Sequence, residues 1–276
     1  MKICDQSYLF LCFGQSYIDD AIDFIDTLRH FHDDRKTNIV IDPQDYEYAL
    51  NKKIFNKIIP FDIGSDPLIP LCRTKFEKFC LLPRLRLPQF LQTRYTLVLD
   101  TDILCAFYTD DVWSFLINRN QPLTMLGSVN NRFWHWGHWG SICDHLNMKP
   151  YETHGGLFFI DNNDPARIMT IWQYAEYAFR NFDDLGFLRM YQNGAVDEPC
   201  FAYAFNKSNL LPVNFSERSI MTFNLDATKH HIPTKQMTET MQSRLMENYI
   251  PFIHMFEKNK TMNFMALKNK VLNIKL

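Results

Sequence analysis

Two aspartates one residue apart, Asp100 and Asp102, close an apolar run that reads Tyr95-Thr-Leu-Val-Leu-Asp-Thr-Asp. Thr96 to Leu99 are β-branched or apolar and spell a buried strand. On extended backbone, carboxylates spaced this way point to the same side. Such a pair suits a hard divalent cation, Mn2+ or Mg2+, which could in turn neutralise a diphosphate. In an open α/β sheet, ligands bind at the carboxyl ends of the strands, where this pair falls. The plainer reading is two solvated aspartates opening a turn.

The elements that must position this pair alternate between strand and helix. Tyr8 to Phe13 is a continuous apolar run ending at Gly14, as in a buried parallel strand. Ile18, Ala21, Ile22, Ile25 and Leu28 recur at helical spacing. Strands are expected at Asn38–Ile41, in Lys57–Ile63, at Leu123–Gly127 and from Gly155-Gly156 to Ile160. Phe76 to Leu91 has a helical pattern that Pro83 and Pro88 must break or kink. Helices are expected from Pro165 to Phe182, with proline in the tolerated first turn, and from Asp197 to about Phe205. A late strand is expected in Leu210–Phe215. This alternation predicts a doubly wound α/β sheet, parallel in the main. With no internal repeat and no flexible linker, we expect one domain over residues 1–257 and a basic tail over 258–276.

Composition narrows the function classes. The 276 residues are 46% hydrophobic and 22% charged, as in an ordinary globular core, and the formal charge of −2 gives no case for nucleic acid. Aromatics reach 15%, enough to line a binding cleft as well as a core. Seven scattered cysteines without a CxxC pair argue against a disulfide framework and a structural zinc site; they read as free thiols in a reducing, cytoplasmic compartment. No apolar stretch is long enough for a transmembrane helix. The N-terminal apolar run reads as the first strand, not as a signal peptide.

Taken in order, these segments resemble a GT-A-type glycosyltransferase, a nucleotide-diphospho-sugar transferase, and most closely the glycogenin-like branch, family eight. The quoted parts are Phe13-Gly14-Gln15-Ser16-Tyr17 after the first strand, a segment bearing Lys75, Lys78, Arg84 and Arg86, and then Asp100 and Asp102. His154-Gly155-Gly156-Leu157-Phe158, Asp197-Glu198-Pro199-Cys200-Phe201 and Ile253-His254-Met255-Phe256 follow. After its histidine this chain has Glu257-Lys258-Asn259-Lys260, where the strong form of the family motif has a glycine and Lys-Pro-Trp.

The resemblance implies a GT-A fold with a mixed, mainly parallel sheet and a helical C-terminal extension. It implies transfer of a hexosyl or pentosyl group from a UDP- or GDP-sugar to a hydroxyl of a glycan or protein. Asp102 would then be a direct metal ligand, Asp100 would touch metal or ribose, and His254 would supply an imidazole. His230 and His231 compete with His254 for that role. Phe13, Gly14 and Tyr17 would meet the nucleotide, with Tyr17 stacking on the base or packing at a helix start. Arg84 is the preferred phosphate contact among the basic residues. Gly155 and Gly156 would let backbone approach the sugar, or form a bulge before their strand. Asp197 and Glu198 would face the acceptor, one as general base in an inverting enzyme; both also suit the positive end of a helix.

Arg132-Phe-Trp-His-Trp-Gly-His-Trp139 packs three tryptophans into six residues. Trp134, Trp136 and Trp139 read either as an acceptor-side aromatic loop or as a hydrophobic plug. His135 and His138 have no suitably spaced carboxylate for a metal. Five lysines in the tail could touch an anionic membrane surface or form a solvated face of a packed helix. Two rivals stand beside the transferase. Haloacid-dehalogenase-type phosphatases also place a DxD after an apolar strand, with the first aspartate (here Asp100) as nucleophile, though on the first strand. A non-catalytic sugar- or nucleotide-binding module is the other.

Overall fold

In the protein's structure, a computed structural model, residues 3–132, 139–189, 194–214, 220–223, 250–254, 268–269 and 271–273 are described. Strands β1 (Gln6–Cys12), β2 (Lys36–Ile41), β3 (Lys57–Pro60) and β4 (Tyr95–Leu99) lie parallel to one another. The sheet is completed by β6 (Leu123–Ser128), β7 (Glu152–Asp161) and the short β8 (Val213–Asn214), in the order β3-β2-β1-β4-β7-β6-β8. β7 alone runs antiparallel to its neighbours, so the sheet is mixed and mainly parallel. A second sheet joins β5 (Ile103–Cys105), β10 (Phe252–His254) and β9 (Met221–Phe223).

Period-two alternation divides the core. On β1, Leu9 faces one layer while Tyr8, Phe10 and Cys12 face the other; on β4, Val98 opposes Leu97 and Leu99. The second face is covered by α1 (Gln15–His30), which buries Ile18, Ala21, Phe24, Ile25 and Leu28, and by α4 (Asp110–Asn118). The first face carries α3 (Leu82–Leu85), α5 (Trp139–His145), α6 (Pro165–Arg180) and α7 (Asp197–Lys207); α2 (Tyr46–Lys52) precedes β3. Burying both faces accounts for the near-continuous apolar runs of β1 and β4.

The helical pattern over Phe76–Leu91 is broken, as the two prolines require: a π-helical turn, Glu77–Leu81, is followed by the single turn of α3 and a 3-10 turn at Leu87–Phe90. Pro83 has no N–H and its ring crowds the carbonyl four residues back, so the chain widens ahead of it and the Leu82 N–H bonds Glu77 O. The glycine pair does not open β7: the strand starts at Glu152 and contains both glycines. They sit in a bulge, because Met125 faces Phe158 while the next residue, Leu126, faces His154. Of the late strand expected in Leu210–Phe215, Val213 and Asn214 form β8 and residues 210–212 do not, while Phe215 lies outside the described residues.

All seven cysteines are free thiols. Among the described residues no helix is long and apolar enough to cross a membrane. Of the tail, Lys268 is buried against α1, its ammonium 2.5 Å from Asp23 and 2.7 Å from Asp26, and Val271 joins the core.

Candidate active site

β1 leads left through β2 to β3, and the chain then returns to place β4 on the other side of β1. The crevice at the carboxyl ends of β1 and β4 is therefore the switch point of the sheet, where such folds bind ligands. A cleft of about 750 Å³ opens there. Phe13, Tyr17, Arg84, Asp100, Asp102, Gly155, Gly156, Asp197, Glu198 and His254 all line it.

Asp100 and Asp102 converge by a different route from the one the pleat suggests. β4 ends at Leu99, and the two aspartates flank a turn into β5. β10 then pairs antiparallel with β5, His254 opposite Ile103, which sets the imidazole beside that turn. His254 Nε2 lies 3.0 Å from Asp102 Oδ1 and 3.7 Å from Asp100 Oδ2. The three side chains each offer one ligand atom, all within 4.8 Å of one another. Two carboxylate oxygens and one imidazole form a donor set that accepts Mn2+ readily and Mg2+ through its oxygens.

Arg84 spans the floor of the cleft. One terminal nitrogen bonds Asp100 and the other, Nη1, lies 2.5 Å from Asp197 Oδ2. The indole N–H of Trp172 donates to Arg84 O at 2.8 Å and fixes its backbone. Arg84, read from sequence as a phosphate contact, bonds carboxylates of the site through both terminal nitrogens. Burial alone would lower its pKa; Asp100 and Asp197 reverse that and hold it above the ordinary arginine value. The Asp100 carboxyl is pushed up by burial, which Arg84 and His254 oppose and Asp102 and Asp197 reinforce. The floor carries three carboxylates, two of them on the one guanidinium, and is short of positive charge that a divalent cation would supply.

The glycine pair is a steric requirement of this arrangement. A β-carbon on Gly155 would stand 2.1 Å from Asp197 Oδ2 and 2.9 Å from Arg84 Nη1; one on Gly156 would stand 2.8 Å from the rings of both His154 and His254. Asp100 N–H donates to Gly156 O at 3.2 Å, tying the bulge to the aspartate turn. Asp197, the first residue of α7, is 3% exposed and turned onto the cleft floor, so its position serves both helix and site. Tyr17, in the first turn of α1, keeps an exposed ring at the cleft mouth.

The other basic residues do not converge here. Arg86 pairs with Asp66 and Glu176, Lys75 is exposed, and the Lys78 ammonium lies over the Phe79 ring. Trp139 is fully buried, packs on Phe187 and donates its indole N–H to Tyr151 O at 2.8 Å. It is a core residue and offers no face to an acceptor. Trp134 and Trp136 lie outside the described residues, as do His135, His138, His230, His231 and the tail lysines 258, 260, 270 and 275. Sequence reasoning passed over Glu77, whose spacing from Thr74 (Thr-Lys-Phe-Glu) is a capping-box signature.

No family model and no curated protein sequence matches this chain. Solved structures do. Mouse xyloside xylosyltransferase 1 superposes with a TM-score of 0.56 at 10% identity, over 90% of this chain and 96% of that one. The galactosyltransferase LgtC, solved with donor and acceptor sugar analogs, gives 0.60 at 10% identity over 98% and 97%. The glycosyltransferase GlyE of Streptococcus pneumoniae TIGR4 gives 0.54 at 12% identity over 98% of this chain and 60% of its own length. The chain thus has the GT-A, Rossmann-like fold of these glycosyltransferases.

Proposed function

We propose that the protein is a divalent-metal-dependent glycosyltransferase, moving a hexosyl or pentosyl group from a UDP- or GDP-sugar to a hydroxyl of a glycan or protein. The observation that carries this reading is the convergence of Asp100, Asp102 and His254 on the floor of a switch-point cleft, beside Asp197 and a glycine pair. The order of motifs along the chain favours the glycogenin-like branch. The seven free thiols suit action in the cytosol.

Asp100, Asp102 and His254 would hold Mn2+ or Mg2+, which as a Lewis acid stabilises the diphosphate leaving group. Tyr17 and Phe13 present aromatic faces to the base, with Gly14 between them leaving backbone accessible. Gly155 and Gly156 supply a flat floor against which the sugar lies. Arg84 keeps Asp100 and Asp197 apart and oriented, so that neither carboxylate drifts from the reacting centre. Asp197 and Glu198 face the acceptor: with inversion one takes the hydroxyl proton, and with retention they orient the reacting groups. Trp134 and Trp136 are the acceptor-side candidates.

A phosphatase using Asp100 as nucleophile is disfavoured. Asp100 is already bound by Arg84, and no lysine is among the described residues lining the cleft. Asp183, an acid downstream of Asp100, pairs with Arg73 and does not line the cleft.

The test is a titration of UDP, GDP and their sugar conjugates, with and without Mn2+, on the wild type and Asp102→Ala. Metal-dependent binding that is lost in the variant is expected and names the donor nucleotide. Absence of nucleotide binding under every condition would overturn the reading and favour phosphatase turnover or a non-catalytic role.

A further inference from the structure

Glu77 is fully buried, does not line the cleft, and yet spends both carboxylate oxygens on backbone. Oε2 accepts the N–H groups of Arg73 and, at 2.8 Å, Thr74, while Glu77 N–H donates to Thr74 Oγ1 at 3.1 Å. That is a capping box at the start of the helical segment carrying Arg84. The second oxygen does something a capping box does not require. Oε1 accepts the N–H of Ala195 at 2.6 Å, across 118 residues of sequence. Ala195 is two residues before Asp197. Gly194, at φ +124°, makes the approach possible: a β-carbon there would stand 2.9 Å from Glu77 Oε1 and 2.9 Å from Thr74 Cγ2. One helical segment therefore reaches Asp197 twice, through Glu77 to the backbone before it and through Arg84 to its carboxylate.

We propose that Glu77 is a positioning residue, a clasp that fixes the strand of chain leading into α7 and so holds Asp197 at the cleft floor. Its kinetic consequence rests on the transferase reading; its structural consequence does not. Glutamine keeps the size but turns one acceptor into an NH2 group, which faces backbone N–H groups on one side. Aspartate keeps the charge and both acceptors on a shorter arm.

The experiment combines hydrogen exchange with steady-state kinetics on the full chain, using UDP and GDP as binding probes. In the wild type the Ala195 amide exchanges as slowly as those of β7; exchange at the rate of an exposed loop overturns the clasp without any variant. In Glu77→Gln, protection at residues 194–197 falls selectively. There kcat per folded molecule drops about 10- to 100-fold, the scale of a misplaced catalytic group, while the nucleotide Kd stays within about twofold and Glu77→Asp recovers part of the rate. A lowered Tm with kcat per folded molecule unchanged would mean a purely structural residue and would overturn the proposal. If the wild type turns over no donor, the transferase reading fails, and exchange at Ala195 alone decides the clasp.

Discussion

Gly155 and Asp197 lie so close that a β-carbon on residue 155 would stand 2.1 Å from Asp197 Oδ2. The contact cannot be relieved by a small shift, because the same carboxylate is held by Arg84 Nη1 at 2.5 Å. Gly155→Ala therefore must expel Asp197 from the cleft floor, break its pair with Arg84, or both. We expect kcat to fall about 100-fold, the scale of a misplacement of about 1 Å in a catalytic group. Nucleotide binding should weaken far less, since the metal ligands sit on other elements. Steady-state kinetics with a parallel nucleotide titration checks this; an unchanged kcat would remove Asp197 from the reacting centre.

Arg84 is the positive charge between two carboxylates, and its side chain is 11% exposed. Arg84→Met fills similar space but leaves Asp100 and Asp197 facing each other uncompensated. Breaking a buried pair by removing one partner costs about 3–5 kcal/mol. A denaturant titration should show a loss of that order, reduced when Mn2+ is present if the cation takes over the missing charge. Equal stability of variant and wild type would show that the pair is not held in solution.

The legible part of this site was the part written locally. Asp100 and Asp102 stand out because an apolar strand ends in acid, and the β-α-β alternation before them fixes the side of the sheet on which they fall. His254 could be reached only through a family resemblance: its strand is three residues long, too short for any periodicity, and its placement depends on pairing with β5. The Arg84–Asp197 contact spans 113 residues, beyond anything spacing can show. The glycine pair looked like a strand boundary because glycine is a poor strand former; pairing with β6 at His154 before it and at Phe158 after it carries the strand through. Glu77 was written in the chain as Thr-Lys-Phe-Glu, but the second use of its carboxylate is tertiary.

Trp139 shows where composition misleads, since a tryptophan-rich segment serves a core as well as a sugar platform. Its ring packs on Phe187 and its N–H satisfies Tyr151 O. Trp139→Ala should cost about 3–5 kcal/mol, as for other fully buried aromatics. Acceptor KM measured per folded molecule should not change. A rise in acceptor KM at unchanged stability would return Trp139 to the acceptor side. The same measurement on Trp134→Ala and Trp136→Ala reports on the remaining two.

The Arg86–Asp66 pair ties the segment after β3 to the helical segment of the cleft wall, and it gives the fold a defined acid sensitivity. Asp66 accepts from Arg86 Nε at 2.7 Å, Arg86 Nη2 at 3.0 Å and Leu68 N–H at 2.8 Å. Burial pushes its carboxyl up, but these bonds outweigh burial and hold it below the ordinary aspartate value. A carboxyl depressed in the folded state binds its proton more readily when unfolded. Its stabilisation is therefore complete above the unfolded pKa, about 3.9, and is lost as pH falls toward the folded value. Asp66→Asn should cost about 3 kcal/mol at neutral pH, the lower end for a broken buried pair. Urea midpoints at neutral pH and near pH 3 give the check. The gap between wild type and variant should narrow on acidification; a gap that stays constant would mean that Asp66 contributes through packing and not through its charge.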